Sequence, residues 1–317
     1  MKLTLGVLIT YYNEKDLLRD CLDSLLAQSE HPDEVLIYDD VSEIPPEKYV
    51  PKNFPVQIIH GDVNRGPAHG RNVLLLASQS EYVHFHDADD LFHPDWCRRV
   101  RQKIEETGAN LIITEISSYR DNQKICDRVL NLERLVAGED FVRFCIEGSI
   151  LTAASTCRRS SALAVQGYRE SLQPVEDFDF HARLAAMGIR YAVITDPLII
   201  QRLRILSYSS RNWLNVWISL IESIRMLSKE LPPKYRQDLA ERATVAGSIL
   251  FKLGARTKAK EAFRLAKELG PPVFSGQRRL YRVLARTFGQ EVAEEVGVIY
   301  RKIFPKKVRR LIAKSGY

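Results

Sequence analysis

Cysteine is scarce in this chain, and its distribution excludes two kinds of covalent or metal stabilisation. The five cysteines are odd in number, lie far apart and never form a Cys-x-x-Cys pair. Neither a disulfide framework nor a zinc site is therefore indicated. With 317 residues, of which 45% are hydrophobic and 27% charged, the chain is long enough to bury a full core without such staples.

Long hydrophobic runs are also missing. No uninterrupted apolar run reaches the ~18 residues that a membrane-spanning helix needs. Residues 1–10 have the pattern of a strand with one lysine and are too short for the apolar region of a signal peptide. We therefore expect a cytoplasmic protein.

The net charge of +6 hides an asymmetry between the two parts of the chain. Residues 1–210 contain 23 Lys and Arg against 31 Asp and Glu, whereas residues 211–317 contain 23 against 9. The basic C-terminal third suits an anionic partner such as lipid headgroups or a polyanionic glycan. Nucleic acid is not an expected partner, because no aromatic stacking platform is interleaved with the basic residues and no nucleic-acid motif is present.

The first half of the chain alternates between short apolar runs and segments with helical spacing. Strands are predicted at 4–11, 34–38, 56–60 and 82–86, and helices at 14–28 and 70–77. This β-α-β-β-α-β order predicts an α/β fold with a parallel sheet. Between 110 and 200 the signal weakens to shorter strands and at least two helices, with closing strands at 191–195 and 198–202. Five helices are predicted after 211, which places a domain boundary near 210.

Polar residues follow the predicted strands, where an open α/β sheet binds its ligand. The segment Asp87-Ala88-Asp89-Asp90 directly follows the strand at 82–86. Alternation in an extended segment places Asp87 and Asp89 on one side, which suits a hard cation such as Mg²⁺ or Mn²⁺ that also bridges diphosphate oxygens. The alternative is an acidic turn that caps the next helix. The Asp39-Asp40 pair ends the second strand, either as a plain turn or where a ribose or base is bound.

Five motifs in a fixed order resemble those of family 2 glycosyltransferases, over roughly residues 3–210. They are Val7-Leu8-Ile9-Thr10-Tyr11-Tyr12-Asn13-Glu14, Tyr38-Asp39-Asp40-Val41-Ser42, Asn64-Arg65-Gly66 with Arg71-Asn72, Asp87-Ala88-Asp89-Asp90, and Gly167-Tyr168-Arg169-Glu170-Ser171-Leu172 leading to Glu176-Asp177. The resemblance implies the GT-A fold, a Rossmann-like mixed sheet flanked by helices, over residues 1–210. The helical region at 211–317 follows it.

The resemblance also implies roles for individual residues. The nucleotide base and ribose would be held by Thr10, Tyr12 and Asp39 or Asp40, with Arg71 assisting. Asp87 would contact the ribose or the metal, and Asp89 would ligate the metal. Glu176 would lie on the acceptor side, and Asp177 would be the general base. The donor would be a nucleotide sugar, with a UDP-sugar as first candidate, and the acceptor a glycan or a lipid-linked molecule.

The chemistry of an inverting transfer agrees with this set of residues. A direct displacement needs one base for the acceptor proton and an electrophile for the leaving diphosphate. One carboxylate and one metal ion suffice. Because Glu176-Asp177 begins a predicted helix, N-terminal capping remains the structural alternative for these acids.

One position departs from the family pattern. Family members commonly have an Arg followed two residues later by a His that helps hold the metal or diphosphate. Here the stretch Arg202-Leu203-Arg204 places an arginine at that position. Since arginine stays protonated and cannot ligate a cation, we expect Arg204 to stabilise the leaving diphosphate. The alternative is that metal dependence is weakened or lost.

The last segment, 300–317, interleaves cations with Ile303, Phe304, Val308, Leu311 and Ile312. This pattern is typical of an interfacial helix at anionic lipid, and equally of a solvated basic tail. Contact with the inner face of the membrane would suit a lipid-linked acceptor. Two other functions stay open, a non-catalytic nucleotide-sugar or glycan-binding protein and a nucleotidyltransferase. The latter lacks a Gly-rich basic loop after the first strand, where Tyr11-Tyr12-Asn13-Glu14 stands instead.

Overall fold

The computed structural model describes residues 3–52, 54–121, 123–148, 150–204, 213–271 and 279–303. The chain forms two compact units, residues 1–212 and 213–317. The first contains a mixed sheet with helices on its faces. The described part of the second is helical. The predicted α/β class, with a helical C-terminal region, is confirmed.

The strands of unit 1 form a single mixed sheet in the order β3-β2-β1-β4-β8-β6-β9-β5, and β7 pairs with β6. They are β1 (Leu5–Tyr11), β2 (Glu34–Asp39), β3 (Gln57–His60), β4 (Tyr82–Asp87), β5 (Leu91–Phe92), β6 (Leu111–Arg120), β7 (Gln123–Cys126), β8 (Ser155–Arg158) and β9 (Tyr191–Arg202). The pairs β1–β2, β1–β4, β2–β3 and β6–β9 are parallel. Strand β8 runs antiparallel between β4 and β6, so β4, β6 and β9 end at the same edge.

Seven helices accompany these strands in the described part of unit 1. They are α1 (Asp16–Leu26), α2 (Pro67–Ala77), α3 (Trp96–Thr107), α4 (Glu133–Val136), α5 (Phe141–Glu147), α6 (Arg159–Ala164) and α7 (Glu176–Ala186). Four apolar side chains on one face of α1 are buried: Leu18, Cys21, Leu22 and Leu25. Residues of β1 are buried on both faces of the strand, as parallel strands covered by helices require.

The start of α2 is set by local backbone chemistry. Gly66 has φ +83°, a conformation that other residues rarely adopt, and Pro67 occupies the first helical turn, where its missing N–H costs nothing. Gly70 lets the helix approach the sheet: a Cβ there would lie 2.7 Å from the Tyr38 ring and 3.0 Å from Thr10 Cγ2. The helix therefore packs directly over the ends of β1 and β2.

The sequence pattern was less accurate between 110 and 200. The two predicted closing strands are one strand, β9, which continues through Pro197. Its pairing with β6 shifts register around Glu115, and this irregularity accommodates the proline, which lacks an N–H. Strand β6 has 10 residues and is not one of the shorter strands expected there. The helix predicted at 138–147 begins only at Phe141, because Asp140 caps it by accepting the N–H of Arg143.

The described part of unit 2 contains five helices, which match the five predicted. They are α8 (Trp213–Glu230), α9 (Arg236–Lys252), α10 (Arg256–Leu269), α11 (Arg279–Phe288) and α12 (Gln290–Ile303). Helices α9 and α10 pack closely, since a Cβ on Gly247 would lie 2.5 Å from the Phe263 ring. Among the described residues, no helix has the length and apolarity to cross a membrane. Most of the predicted basic segment 300–317 lies outside the described residues.

Candidate active site

The carboxyl ends of β1, β2 and β4 meet at one point of the sheet edge. Thr10 of β1 is in register with Tyr38 of β2 on one side and with Asp87 of β4 on the other. A cleft of about 550 Å³ opens above this point. The position is the one that open α/β sheets use for ligands.

Nearly all the side chains that the sequence analysis selected line this cleft. They are Thr10, Tyr12, Asp40, Arg71, Asp87, Asp89, Glu176, Asp177 and Arg204. Asp39 is the exception, although it ends β2. Its carboxylate accepts the N–H of Ser42 at 3.0 Å and lies 3.1 Å from His60 Nδ1. Asp39 therefore supports the turn after β2 without lining the cleft.

Asp40 fixes the loop that precedes α2. Its two carboxylate oxygens accept the N–H groups of Arg65 at 2.9 Å and Gly66 at 2.7 Å, and its main-chain carbonyl accepts Asn64 Nδ2 at 3.1 Å. The side chain is 5% exposed. Asp40 therefore holds this loop at the wall of the cleft. Only the small exposed part of its side chain can contact a ligand.

Arg71 joins the two halves of the cleft. One terminal nitrogen donates to Asp87 Oδ1 and the other to Glu176 Oε1, both at 2.7 Å. The side chain is almost fully buried, and the guanidinium lies 5.4 Å from the centre of the Tyr168 ring. Since both terminal nitrogens are engaged by carboxylates, Arg71 orients Asp87 and Glu176 in this structure. Its contact with a nucleotide stays a prediction.

Asp177 lies in the first turn of α7, where the helix points its N-terminus into the cleft. The N–H of Phe178 donates to Asp177 Oδ1 at 2.7 Å. Burial raises the pKa of the Asp177 carboxyl to about 7, and the negative charge of Glu176 adds to this shift. A carboxyl with a pKa near neutrality is suited to accept a proton from a hydroxyl during a reaction.

Asp89 and Asp90 follow β4 in a crowded acidic turn that arginines from the end of β9 hold in place. The N–H of Arg202 donates to Asp90 Oδ1 at 2.9 Å, and its guanidinium donates to the main-chain carbonyl of Asp89. Arg204 forms an ion pair with the Asp89 carboxylate. Burial raises the pKa of both aspartates, and the neighbouring carboxylates raise it further. The site therefore favours an added positive charge.

The divalent cation that the family resemblance implies would find two carboxylates here. Arg71 donates to one oxygen of Asp87 and Arg204 to one oxygen of Asp89, so neither carboxylate is engaged by these arginines on both oxygens. Within that same part of the chain, no cluster of three or more His, Cys, Asp or Glu side chains could hold a metal ion. Two carboxylates fit Mg²⁺ or Mn²⁺ when diphosphate oxygens complete the shell.

The cleft is acidic overall, with seven carboxylates and four arginines among its lining residues. Four of these charged residues had no role predicted from the sequence: Glu14, Asp90, Arg120 and Arg202. Burial raises the pKa of Glu14 to about 7, and its carboxylate accepts the N–H of Tyr12. Arg120 and Arg202 end β6 and β9, so their position could have been inferred only if these strands had been placed in the same sheet as β4 and parallel to it.

His84 and His86, which crowd the acidic motif in the sequence, are completely buried core residues. His84 Nδ1 lies 3.0 Å from the carbonyl of Ser155, and the His86 ring stacks on Phe92 with centroids 3.9 Å apart. Burial lowers the pKa of both imidazoles. Both imidazoles are therefore packed as core side chains.

The mixed sheet with a cleft at the ends of β1, β2 and β4 has the architecture of the GT-A class of α/β fold. Comparison with known proteins places the chain within this class. The sequence profile of glycosyl transferase family 2 matches residues 6–163, most of unit 1. Through this unit the chain belongs to glycosyl transferase family 2.

Curated relatives support the family. An uncharacterised glycosyltransferase of Haemophilus influenzae is 29% identical over 191 residues, which cover 57% of this chain and 61% of the relative. The succinoglycan biosynthesis protein ExoU of Rhizobium meliloti is 28% identical over 207 residues, which cover 59% of this chain and 58% of that protein. The chain thus spans about three fifths of the length of these relatives.

Solved structures share the fold. TarS of S. aureus in complex with UDP-GlcNAc aligns with a TM-score of 0.71 and 18% identity, covering 95% of this chain and 92% of the TarS chain. The mannosyltransferase PcManGT of Pyrobaculum calidifontis, in complex with GDP-Man and Mn²⁺, aligns with a TM-score of 0.58 and 17% identity over 96% of this chain and 88% of its own. At this identity the likeness establishes the GT-A fold.

Proposed function

We propose that this protein is an inverting glycosyltransferase that moves a sugar from a nucleotide diphosphate to an acceptor hydroxyl. Unit 1 is its catalytic domain, and the reaction belongs to polysaccharide, lipopolysaccharide or other glycoconjugate synthesis. One observation carries the proposal: Asp177, whose pKa is about 7, lines the same cleft as Asp87 and Asp89. A base and an anionic site for a cation are thus placed together.

The donor lies along the ends of β1, β2 and β4. Tyr12 is 49% exposed and offers an aromatic face, and Thr10 lines the floor beside it. A UDP-sugar is the first donor to test, because a protein of the same fold was solved with UDP-GlcNAc. A GDP-sugar is the second, because another was solved with GDP-Man.

The transfer needs one proton acceptor on the acceptor side. The acceptor hydroxyl oxygen attacks the anomeric carbon while the bond from that carbon to the diphosphate oxygen breaks, and its electron pair leaves with the diphosphate. The Asp177 carboxylate takes the hydroxyl proton. Glu176, held by Arg71, lies beside Asp177 on the acceptor side. Arg204 contributes a positive charge toward the departing diphosphate.

Asp87 and Asp89 would hold the divalent cation, Mn²⁺ or Mg²⁺. Bound there, it would neutralise charge on the leaving diphosphate. The excess of carboxylates over arginines in the cleft supports this part of the proposal, because a diphosphate brings further negative charge.

A donor screen tests the proposal. The purified chain is mixed with Mn²⁺ or Mg²⁺ and a panel of nucleotide sugars, and release of nucleoside diphosphate is measured. We expect metal-dependent release with one donor, lost in both Asp89→Ala and Asp177→Asn. A different result would favour a non-catalytic binding protein. In that case nucleotide binding persists in Asp177→Asn, and no donor releases nucleoside diphosphate even when lipid-linked acceptors are added.

We further propose that the basic segment 300–317 attaches the protein to the cytoplasmic face of an anionic membrane, where a lipid-linked acceptor lies. Its start, the last turn of α12, exposes Ile303, and residues 304–317 lie outside the described residues. The full chain should sediment together with vesicles that contain anionic lipid. A chain without residues 300–317 should not sediment with them. Equal sedimentation of both forms would reject membrane attachment through this segment.

A further inference from the structure

The ion pair between Arg204 and Asp89 places a permanent positive charge on the carboxylate that a cation would use. We propose that Arg204 competes with the divalent cation for Asp89, so that the cation and the nucleotide diphosphate bind as a linked pair. In the free protein the guanidinium neutralises Asp89. When both ligands arrive, Arg204 transfers to the diphosphate and Asp89 turns to the cation. This inference rests on the cation site of the proposed function.

The position of Arg204 is set by the residues just before it. Arg202 is anchored by three separate contacts: Asp20 at 2.7 Å, the carbonyl of Leu17 at 3.0 Å and the carbonyl of Asp89. The N–H of Leu203 donates to the carbonyl of Tyr119 at 2.7 Å. The backbone that leads to Arg204 is therefore fixed against the acidic turn, and its side chain reaches Asp89 from there.

Arg204 differs from the other paired arginines of the cleft in how it is held. Arg71 is almost fully buried between two carboxylates, and the Arg202 side chain is 20% exposed with the anchors described above. The Arg204 side chain is 40% exposed, and its ion pair with Asp89 joins it to a partner that is 20% exposed. Moving Arg204 away from Asp89 breaks one ion pair, and a cation bound at Asp89 would then supply the positive charge that this partly buried carboxylate needs.

Competition follows from charge and chemistry. A guanidinium stays protonated and cannot ligate a cation, so the two positive groups repel each other at the same carboxylate. A diphosphate relieves this repulsion, because its oxygens accept hydrogen bonds from the guanidinium fork. Each ligand should therefore raise the affinity for the other, by a factor that is the same in both directions.

The test measures Mn²⁺ binding by the full chain, with free Mn²⁺ quantified by electron paramagnetic resonance, without nucleotide and with UDP. We expect Arg204→Ala to bind Mn²⁺ at least about fivefold more tightly than the wild type when UDP is absent. The gain in Mn²⁺ affinity on adding UDP should be smaller in Arg204→Ala than in the wild type. The double variant Arg204→Ala with Asp89→Asn should lose the tighter binding.

Arg120→Ala is the matched control. Arg120 also lines the cleft, and it forms no ion pair with any residue in the described ranges. Its removal lowers the charge of the cleft by the same amount but releases no carboxylate, so we expect less than about a twofold change in Mn²⁺ affinity. An equal gain in both single variants would mean that net charge alone controls Mn²⁺ binding, and would overturn the proposal.

Two further results would also overturn it: unchanged or weaker Mn²⁺ binding in Arg204→Ala, or no Mn²⁺ binding by either protein even with UDP. These outcomes are separate from a failure of the proposed function. Tighter Mn²⁺ binding in Arg204→Ala without turnover of any donor would uphold the competition and reject the transferase. Donor turnover, combined with equal Mn²⁺ affinities of the wild type and Arg204→Ala, would uphold the transferase and reject the competition.

Discussion

Arg71 and Glu176 stand 105 positions apart in the sequence, yet the guanidinium donates a 2.7 Å hydrogen bond to the Glu176 carboxylate deep in the cleft. The other terminal nitrogen of Arg71 holds Asp87. This single side chain ties the start of α7 to the end of β4. Glu176 and Asp87 are therefore positioned by one common partner.

Removal of Arg71 should leave two carboxylates without their partner. We expect Arg71→Ala to lower the free energy of unfolding by about 3–5 kcal/mol, because the buried charge of Glu176 is then uncompensated. Urea unfolding monitored by circular dichroism measures this. As a control, Arg98→Ala removes a surface pair with Asp95, at 43% and 38% exposure, and should change stability by less than about 1 kcal/mol. Comparable losses of stability in the two variants would contradict the role of Arg71 as a bridge between Asp87 and Glu176.

The raised pKa of Asp177 should govern the pH dependence of catalysis. A general base acts in its ionised form, so kcat/KM should rise with pH up to about 7, the pKa of this carboxyl, and then level off. The measurement is kcat/KM for the donor found in the screen, across this range, at saturating acceptor. A profile that stays flat through neutral pH would argue against Asp177 as the base.

The same pKa predicts a stability effect of definite sign. Because burial raises the folded-state pKa of Asp177 above its ordinary value, the protonated form is favoured in the fold. The contribution of the protonated Asp177 carboxyl to the stability of the fold is complete below the unfolded-state pKa. It is lost as the pH rises through about 7. Above that pH, Asp177→Asn should raise the free energy of unfolding by about 2 kcal/mol. This value is smaller than the free energy equivalent to the whole pKa shift, because the side chain keeps some contact with solvent.

At acidic pH, below the unfolded-state pKa, wild type and Asp177→Asn should be nearly equal in stability. Thermal unfolding of both proteins at several pH values measures the difference. A stabilisation by Asn that is the same at all pH values would show that it arises from packing and not from ionisation.

Asp40 should matter for both the fold and the ligand. Asparagine keeps one acceptor oxygen, so Asp40→Asn can no longer satisfy the N–H groups of both Arg65 and Gly66. We expect a loss of about 1–3 kcal/mol in stability and weaker UDP binding by calorimetry. Asp62→Asn, at an exposed position in the preceding turn, should change stability by less than about 0.5 kcal/mol. UDP affinity that is unaffected by Asp40→Asn would separate this loop from the nucleotide site.

The contact between α2 and the sheet can be tested at Gly70. Alanine has a better helix propensity by about 1 kcal/mol, yet its Cβ would lie 2.7 Å from the Tyr38 ring. We expect overpacking to dominate, with a net destabilisation of about 1–2 kcal/mol and weaker UDP binding, because Tyr38 and Thr10 border the cleft. Increased thermal stability of Gly70→Ala would show that α2 moves away without cost.

The positions of the first four strands and of the main helices followed from periodicity alone, because these segments have the alternation and length that their burial demands. Periodicity failed at β9, where Pro197 looks like a break but is absorbed by an irregular pairing with β6. It also failed to place β6 and β8, since strand neighbours in a mixed sheet depend on pairing partners far away in the chain. Arg120 and Arg202 were missed as lining residues for this reason.

The residues that end the parallel strands could be identified from the order of the predicted elements. Asp87, Asp89, Thr10 and Tyr12 had to lie near one another once the order of strands and helices was known, since parallel strands end at a common edge. The contacts of those side chains, in contrast, depend on neighbours that are brought together only when the chain folds. Asp40 holds a loop, Asp39 turns away from the cleft, Arg71 bridges Asp87 and Glu176, and Arg204 meets Asp89. These pairings join residues up to 115 positions apart. Charge and burial in the folded chain decide which side chains pair, and no local sequence pattern encodes them.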